Sequence, residues 1–314
     1  MKNAGIPFKL NLSLDETIDI KDMVEDYVNE GIDIHPKYTK DHQIEFEVSY
    51  NPRHDKGINT SIKSNPTSFK LAVPKIKTLP NMIQVWSIFQ RTPLDAVVGS
   101  SDGNPLVYAF KKEKNYVFKS EYDKKILQDL MHKILEKFSK EWFASISGDA
   151  ATIVCPSGNA LNDNFALAFK KTAEASGNKV ALYDDFLTKA AVEDVRYCIF
   201  DDPRSDVNRW LFSLPNNKAK LARAKIEAYL DHMEKEHDGI FSYHFIEDPK
   251  IRNMISKSMS LNLKSHEDID GKNILLLDDT ISRGKTLQEA YQLICSSYDP
   301  KTVTALTLFS QLKR

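Results

Sequence analysis

Two adjacent carboxylates, Asp278 and Asp279, are followed within eight residues by Thr280, Ser282, Gly284 and Thr286. Successive backbone N–H groups in a tight turn that leads into a helix form a concavity of positive partial charge, which suits a phosphate. Gly284 permits close backbone approach and unusual φ, and Ser282 and Thr286 supply hydroxyl donors. The carboxylates do not favour a bare anion. They suit the hydroxyls of a sugar, or a hydrated Mg²⁺ held between sugar and phosphate. Acids, hydroxyls and glycine in this order point to a sugar phosphate.

Such groups need a rigid mount. Residues 274–277 are four consecutive aliphatics running straight into Asp278, which reads as a strand buried on both faces, the usual strand of a parallel α/β sheet. Ligands of such sheets bind at the carboxyl ends of the strands. From Leu287 the apolar period becomes helical, through Ala290, Tyr291 and Ile294, and residues 303–309 read as a final buried strand. Upstream, a strand at 150–155 runs into Pro156-Ser157-Gly158-Asn159, a second corner suited to an anion. A helix through Phe165, Ala166, Phe169 and Ala173, closed by Gly177, and a strand at 180–183 complete a βαβ unit with an expected right-handed crossover. Before it, Ser120 reads as the N-cap of a long helix in which Ile126, Leu130, Ile134, Phe138 and Trp142 recur every fourth residue.

Two other motifs compete for the acidic stretch. Gly284-Lys285-Thr286 invites a P-loop reading, but the first glycine of that motif would stand at 279, where the chain has Asp279. An apolar strand ending in acids also imitates the Mg²⁺-holding strand of nucleotide hydrolases, yet no phosphate loop precedes it. The simplest alternative is that Asp278 and Asp279 cap the following turn, which explains one aspartate better than two.

Four aliphatics, two acids, two residues, Ser, one residue, Gly, one residue, Thr and an aliphatic resemble the phosphoribosyl-pyrophosphate (PRPP) motif of type I phosphoribosyltransferases. The fold this implies is α/β, a parallel sheet flanked by helices, spanning residues 116–314, with an additional N-terminal α+β domain at 1–115. The resemblance implies a glycosyltransferase of the pentosyltransferase type in nucleotide metabolism. It would pass the ribose 5-phosphate of PRPP to a small nitrogenous acceptor, release pyrophosphate and depend on Mg²⁺. Asp278 and Asp279 would lie near the ribose hydroxyls, Asp279 also holding the metal through water. Thr280, Ile281, Ser282, Arg283, Gly284, Lys285 and Thr286 would wrap the 5′-phosphate, and Ser157, Gly158 and Asn159 would take the pyrophosphate. Arg283 departs from the family, which usually has Thr before the glycine. The stretch from 153, IVCPSGNALNDNFALAFKKTA, is similar to the competence-protein (ComF-like) branch.

Between the two corners the chain departs from a minimal βαβ pattern. Residues 197–200 are a short apolar run before Asp201-Asp202-Pro203, read as ending in a turn. A charged helix follows at about 217–236, and then an apolar run at 240–246 that reads as a strand. The resemblance implies that 201–265 is a hood and mobile-loop insertion, with His244, Arg252 and Lys257 as candidates for loop or acceptor contacts.

The first 115 residues read as a mixed α/β globule without recognisable chemistry. Ile20, Met23, Val24, Tyr27 and Val28 make a helical stripe, Ile44, Phe46 and Val48 alternate as a strand, and 69–73 and 82–89 are further apolar segments. Lys111, Lys112 and Lys114 beside Tyr116 and Phe118 read as a solvated hairpin edge, with nucleic acid a disfavoured partner. A formal charge of −1 from 43 basic and 44 acidic residues gives no global attraction to nucleic acid. Cys155, Cys198 and Cys295 are odd in number and widely spaced, as expected of buried thiols in a reducing compartment. With no run of signal-peptide or membrane-span character, the expectation is a cytoplasmic protein without a membrane partner, and the family's common arrangement is a homodimer. A second class is carried beside the enzyme: a PRPP-sensing regulator without catalysis, binding nucleic acid or a protein. A phosphohydrolase using the two aspartates is a third.

Overall fold

The computed structural model describes residues 33–38, 43–49, 62–63, 67–73, 82–91, 107, 110–111, 117–118, 121–246, 248–255, 257–262, 268–281 and 284–310. The stripe at 20–28, Ser120, Ser282 and Arg283 lie outside them, as does the side chain of His244.

The apolar run before Asp278 forms β11 (Asn273–Ile281), and it lies inside a mostly parallel sheet. Five strands run parallel in the spatial order β5 (Met82–Arg91), β12 (Thr302–Ser310), β11, β7 (Ala150–Val154) and β8 (Ala181–Tyr183). Along the sequence, β7 and its crossover partner β8 build outward in one direction, while β11 and β12 build outward in the other. The chain therefore reverses its direction of growth between β7 and β11. In open parallel sheets this switch point, at the carboxyl ends of the strands, is where a crevice opens for ligand.

Each face of the sheet is covered because side chains alternate along β11. Leu275 and Leu277 enter a core with α1 (Glu121–Ser145) and α2 (Ala160–Ala175), against Leu130, Ile134, Phe138, Phe165 and Phe169. Ile274 and Leu276 enter a second core on the opposite face, with Leu287, Ala290 and Ile294 of α7 (Lys285–Ser297). All of these are essentially fully buried, each Leu, Ile or Phe worth about 1.5–3 kcal/mol of transfer free energy.

The insertion between β8 and β11 has a core of its own. β9 (Leu187–Lys189) leads into α3 (Val192–Phe200), α4 (Asp206–Ser213), α5 (Asn216–Glu236) and α6 (Pro249–Met254), and β10 (Met259–Leu261) returns to pair antiparallel with β9. Val192, Val195, Ile199, Leu211, Ile226, Leu230, Met233 and Ile251 are buried together. Residues 197–200 are thus the end of a helix, and a single turn of 3-10 helix at Tyr243–Phe245 stands where a strand was expected.

Hydrogen bonding runs across residue 115. β5 continues the sheet into the N-terminal strands β1 (Asp33–Tyr38), β2 (Gln43–Ser49), β3 (Ile62–Lys63) and β4 (Thr67–Ala72), pairing antiparallel with β3 and β4. At the far edge β6 (Val117–Phe118) pairs with β2. Gln288 on α7 also donates to the Ala72 carbonyl at 2.8 Å. No helix among the described residues is long and apolar enough to cross a membrane.

Candidate functional site

β11 stays in register with β12 through Thr280 and Ile281, so both acids are held in sheet rather than loop. Pleating sends them to opposite faces. Asp278 follows Ile274 and Leu276, and Asp279 follows Leu275 and Leu277. Asp278 is 8% exposed and accepts from the backbone N–H of Asp279 at 3.0 Å. Burial, then the Asp279 charge, push its carboxyl well above the usual carboxylate range, with Lys111 opposing. The buried Cys155 thiol is raised for the same reasons, burial first and then Asp278 and Asp279.

Asp279 faces the corner after β7. Asn159 is the N-cap of α2, its Oδ1 accepting from Leu161 N at 2.9 Å, and its Nδ2 donates to Asp279 Oδ2 at 3.2 Å. Ser157 Oγ lies 3.4 Å from the same oxygen and accepts from Asn159 Nδ2 at 3.1 Å. The corner is anchored from behind by buried Asn162, whose Nδ2 donates to the Cys155 carbonyl at 2.5 Å. Ser157 and Asn159 are therefore joined to Asp279 across the switch point.

Two ammonium groups that sequence reasoning left out complete the cluster. Lys111 Nζ lies 3.1 Å from Asp279 Oδ1 and 3.0 Å from Oδ2, with only 17% of its side chain exposed. Lys111 is helical rather than part of a solvated hairpin, and its neighbour Phe110 packs on Phe309 of β12 at 5.6 Å between ring centroids. Lys189, at the end of β9, places Nζ 3.1 Å from where a Cβ would stand on Gly158. A side chain at 158 would press on this ammonium and displace it by a few tenths of an ångström. Burial lowers the Lys189 ammonium below the ordinary lysine value; Asp279 opposes this and Lys111 adds to it.

Neither a protein-family model nor a curated protein matches the chain.

Beyond β11, Gly284 is the N-cap of α7 with φ 77°, a left-handed conformation that favours glycine. Lys285 and Thr286 form the first turn of α7 and are half-buried. The Thr280 hydroxyl oxygen is buried and makes no hydrogen bond among the described residues. Ile281 is 1% exposed and packs in the core with Leu287, so its side chain belongs to the scaffold, leaving only its backbone for a ligand.

The two cations that are candidates for loop or acceptor contacts bond within the insertion. Arg252 donates Nε and Nη2 to the Ile246 carbonyl at 2.9 and 2.5 Å, and Lys257 pairs with Asp202 at 3.5 Å. Neither has a contact to the Asp279 cluster among the described residues. Cys155 and Cys198 are buried and Cys295 is half-buried, all three as free thiols.

A bare divalent ion does not fit Asp278 and Asp279 as direct ligands. Both oxygens of Asp279 already face one ammonium, Asp278 is buried on the opposite face of the strand, and no group of three metal-ligating side chains occurs among the described residues.

Proposed function

We propose that the chain is a type I phosphoribosyltransferase that transfers the ribose 5-phosphate of PRPP to a nitrogenous acceptor and releases pyrophosphate. The observation that carries this reading is the junction at the switch point. Ser157 and Asn159, in the corner after β7, bond directly to Asp279, at the end of β11. A ligand with phosphate groups at both ends of a sugar matches two anion-friendly corners separated by polar side chains.

In this reading Asp278 and Asp279 meet the ribose, while the Thr280 hydroxyl, the backbone from Ile281 to Gly284, and Lys285 and Thr286 at the start of α7 hold the 5′-phosphate. Ser157, Gly158 and Asn159 hold the pyrophosphate, with Lys189 beside them. Displacement at C1 by a nitrogen nucleophile passes through an oxocarbenium-like state, so the protein's work is to align the reactants, neutralise charge and exclude water. Mg²⁺ enters this reading as the counter-ion the pyrophosphate brings with it.

The test is pyrophosphate release from PRPP measured with a panel of purine, pyrimidine and other nitrogenous acceptors. An enzyme releases pyrophosphate with its own acceptor and not without it. Saturable PRPP binding with no release across the panel favours the sensing regulator, and release of inorganic phosphate favours the hydrolase.

A further inference from the structure

We propose that Lys111 is the resident cation of this site: it holds on Asp279 the place a divalent ion would take, so that the site docks a diphosphate group without a metal bound to protein. This rests on the reading of the site as a sugar-diphosphate site, and it assigns a role to a residue from the N-terminal part of the chain.

Three observations carry it. Lys111 Nζ lies within 3.1 Å of both Asp279 oxygens, a bridging position that a cation sharing the two oxygens would occupy. The position is built rather than incidental. Val107, Phe110 and Lys111 are helical and fall at i, i+3 and i+4, one face of a helix; Val107 is buried in the core that Phe110 packs against, and Phe110 rests on Phe309. Phe309 in turn is the sheet partner of Thr280, the residue after Asp279. The third observation is charge. With Lys111 on Asp279 and Lys189 beside Gly158, a second cation meets two ammonium groups, whereas a polyanion meets two donors already in place. The acidic pair seen in sequence is therefore, in three dimensions, part of a site that receives anions.

Calorimetry of the full chain with inorganic diphosphate, in EDTA and again with Mg²⁺, tests this. The wild type is expected to bind diphosphate in EDTA, Lys111→Met to bind about tenfold or more weakly, and Lys111→Arg to retain binding. Free Mn²⁺, followed by its electron paramagnetic resonance signal, is expected to stay unbound with the wild type, which needs no variant, and to bind Lys111→Met. Diphosphate binding that requires Mg²⁺, unchanged binding in Lys111→Met, or Mn²⁺ binding to the wild type would overturn the role of Lys111. If diphosphate and PRPP bind only with Mg²⁺, the transferase reading stands and this inference falls. If neither binds in either buffer, both fall.

Discussion

Asn159 and Asp279 are 120 positions apart in sequence, and the amide of one donates to the carboxylate of the other at 3.2 Å. The same asparagine caps α2 through its other side-chain atom. One residue thus fixes a helix terminus and the distance between the two corners of the site.

Asn159→Asp separates these duties. Aspartate caps a helix as well as asparagine does, but it cannot donate to Asp279 and adds a facing negative charge. The variant should retain the α2 cap, lose about 1–2 kcal/mol in urea unfolding and bind PRPP much more weakly. Asn159→Ala should lose about 1 kcal/mol from the cap, with a smaller loss of PRPP affinity because no charge is added. Equal affinities for the two variants would contradict the direct link to Asp279.

Asp278 carries a pH signature. Its folded value is raised by burial and by Asp279, so folding favours its protonated form. The stability it contributes is complete below the unfolded carboxylate value and is lost as pH rises through the folded value. Asp278→Asn has no such titration. The variant should therefore gain in melting temperature over the wild type by more at about pH 8 than at about pH 4. A gap that does not change with pH would show that Asp278 is not held against ionisation.

Glu289 ties the insertion to α7. It is 4% exposed, and it accepts from Tyr243 Oη at 2.8 Å, from Ser258 N at 3.1 Å and from Ser258 Oγ. Burial, then the Glu289 charge, push the Tyr243 phenol far above its ordinary value. Glu289→Ala should cost about 2–4 kcal/mol by stranding these donors, and should expose residues 240–258 to protease before the sheet unfolds. Glu289→Gln should recover part of the loss. Global unfolding without early cleavage in that segment would place the insertion and the sheet in one cooperative unit.

The parts of this molecule with a strong local period were legible in sequence. The aliphatic run before Asp278 became β11, the four-residue repeat from Leu130 to Trp142 became α1, and the strand, corner and helix from Ala150 to Ala173 became β7 and α2. The short apolar run at 240–246 was too narrow a window, and a single turn of 3-10 helix stands there. The turn expected after residues 197–200 is present at 201–204, and the run itself closes a helix whose i, i+3, i+7 face is Val192, Val195 and Ile199. The cations of the site were hidden for a different reason. Lys111 meets Asp279 across 168 positions, and Lys189 reaches Gly158 because β9 passes the corner. No spacing rule registers a pair that only the packing of Phe110 on Phe309 brings together. The acids were readable in sequence and the lysine that faces Asp279 was not.

The central claim is that the two corners form one site for PRPP. Calorimetric titration of the wild-type chain tests it most directly, with PRPP first and then with ribose 5-phosphate and pyrophosphate as competitors. The account predicts saturable PRPP binding that either half of the ligand displaces, with both halves able to bind together. Absence of PRPP binding, or displacement by one half only, would contradict it.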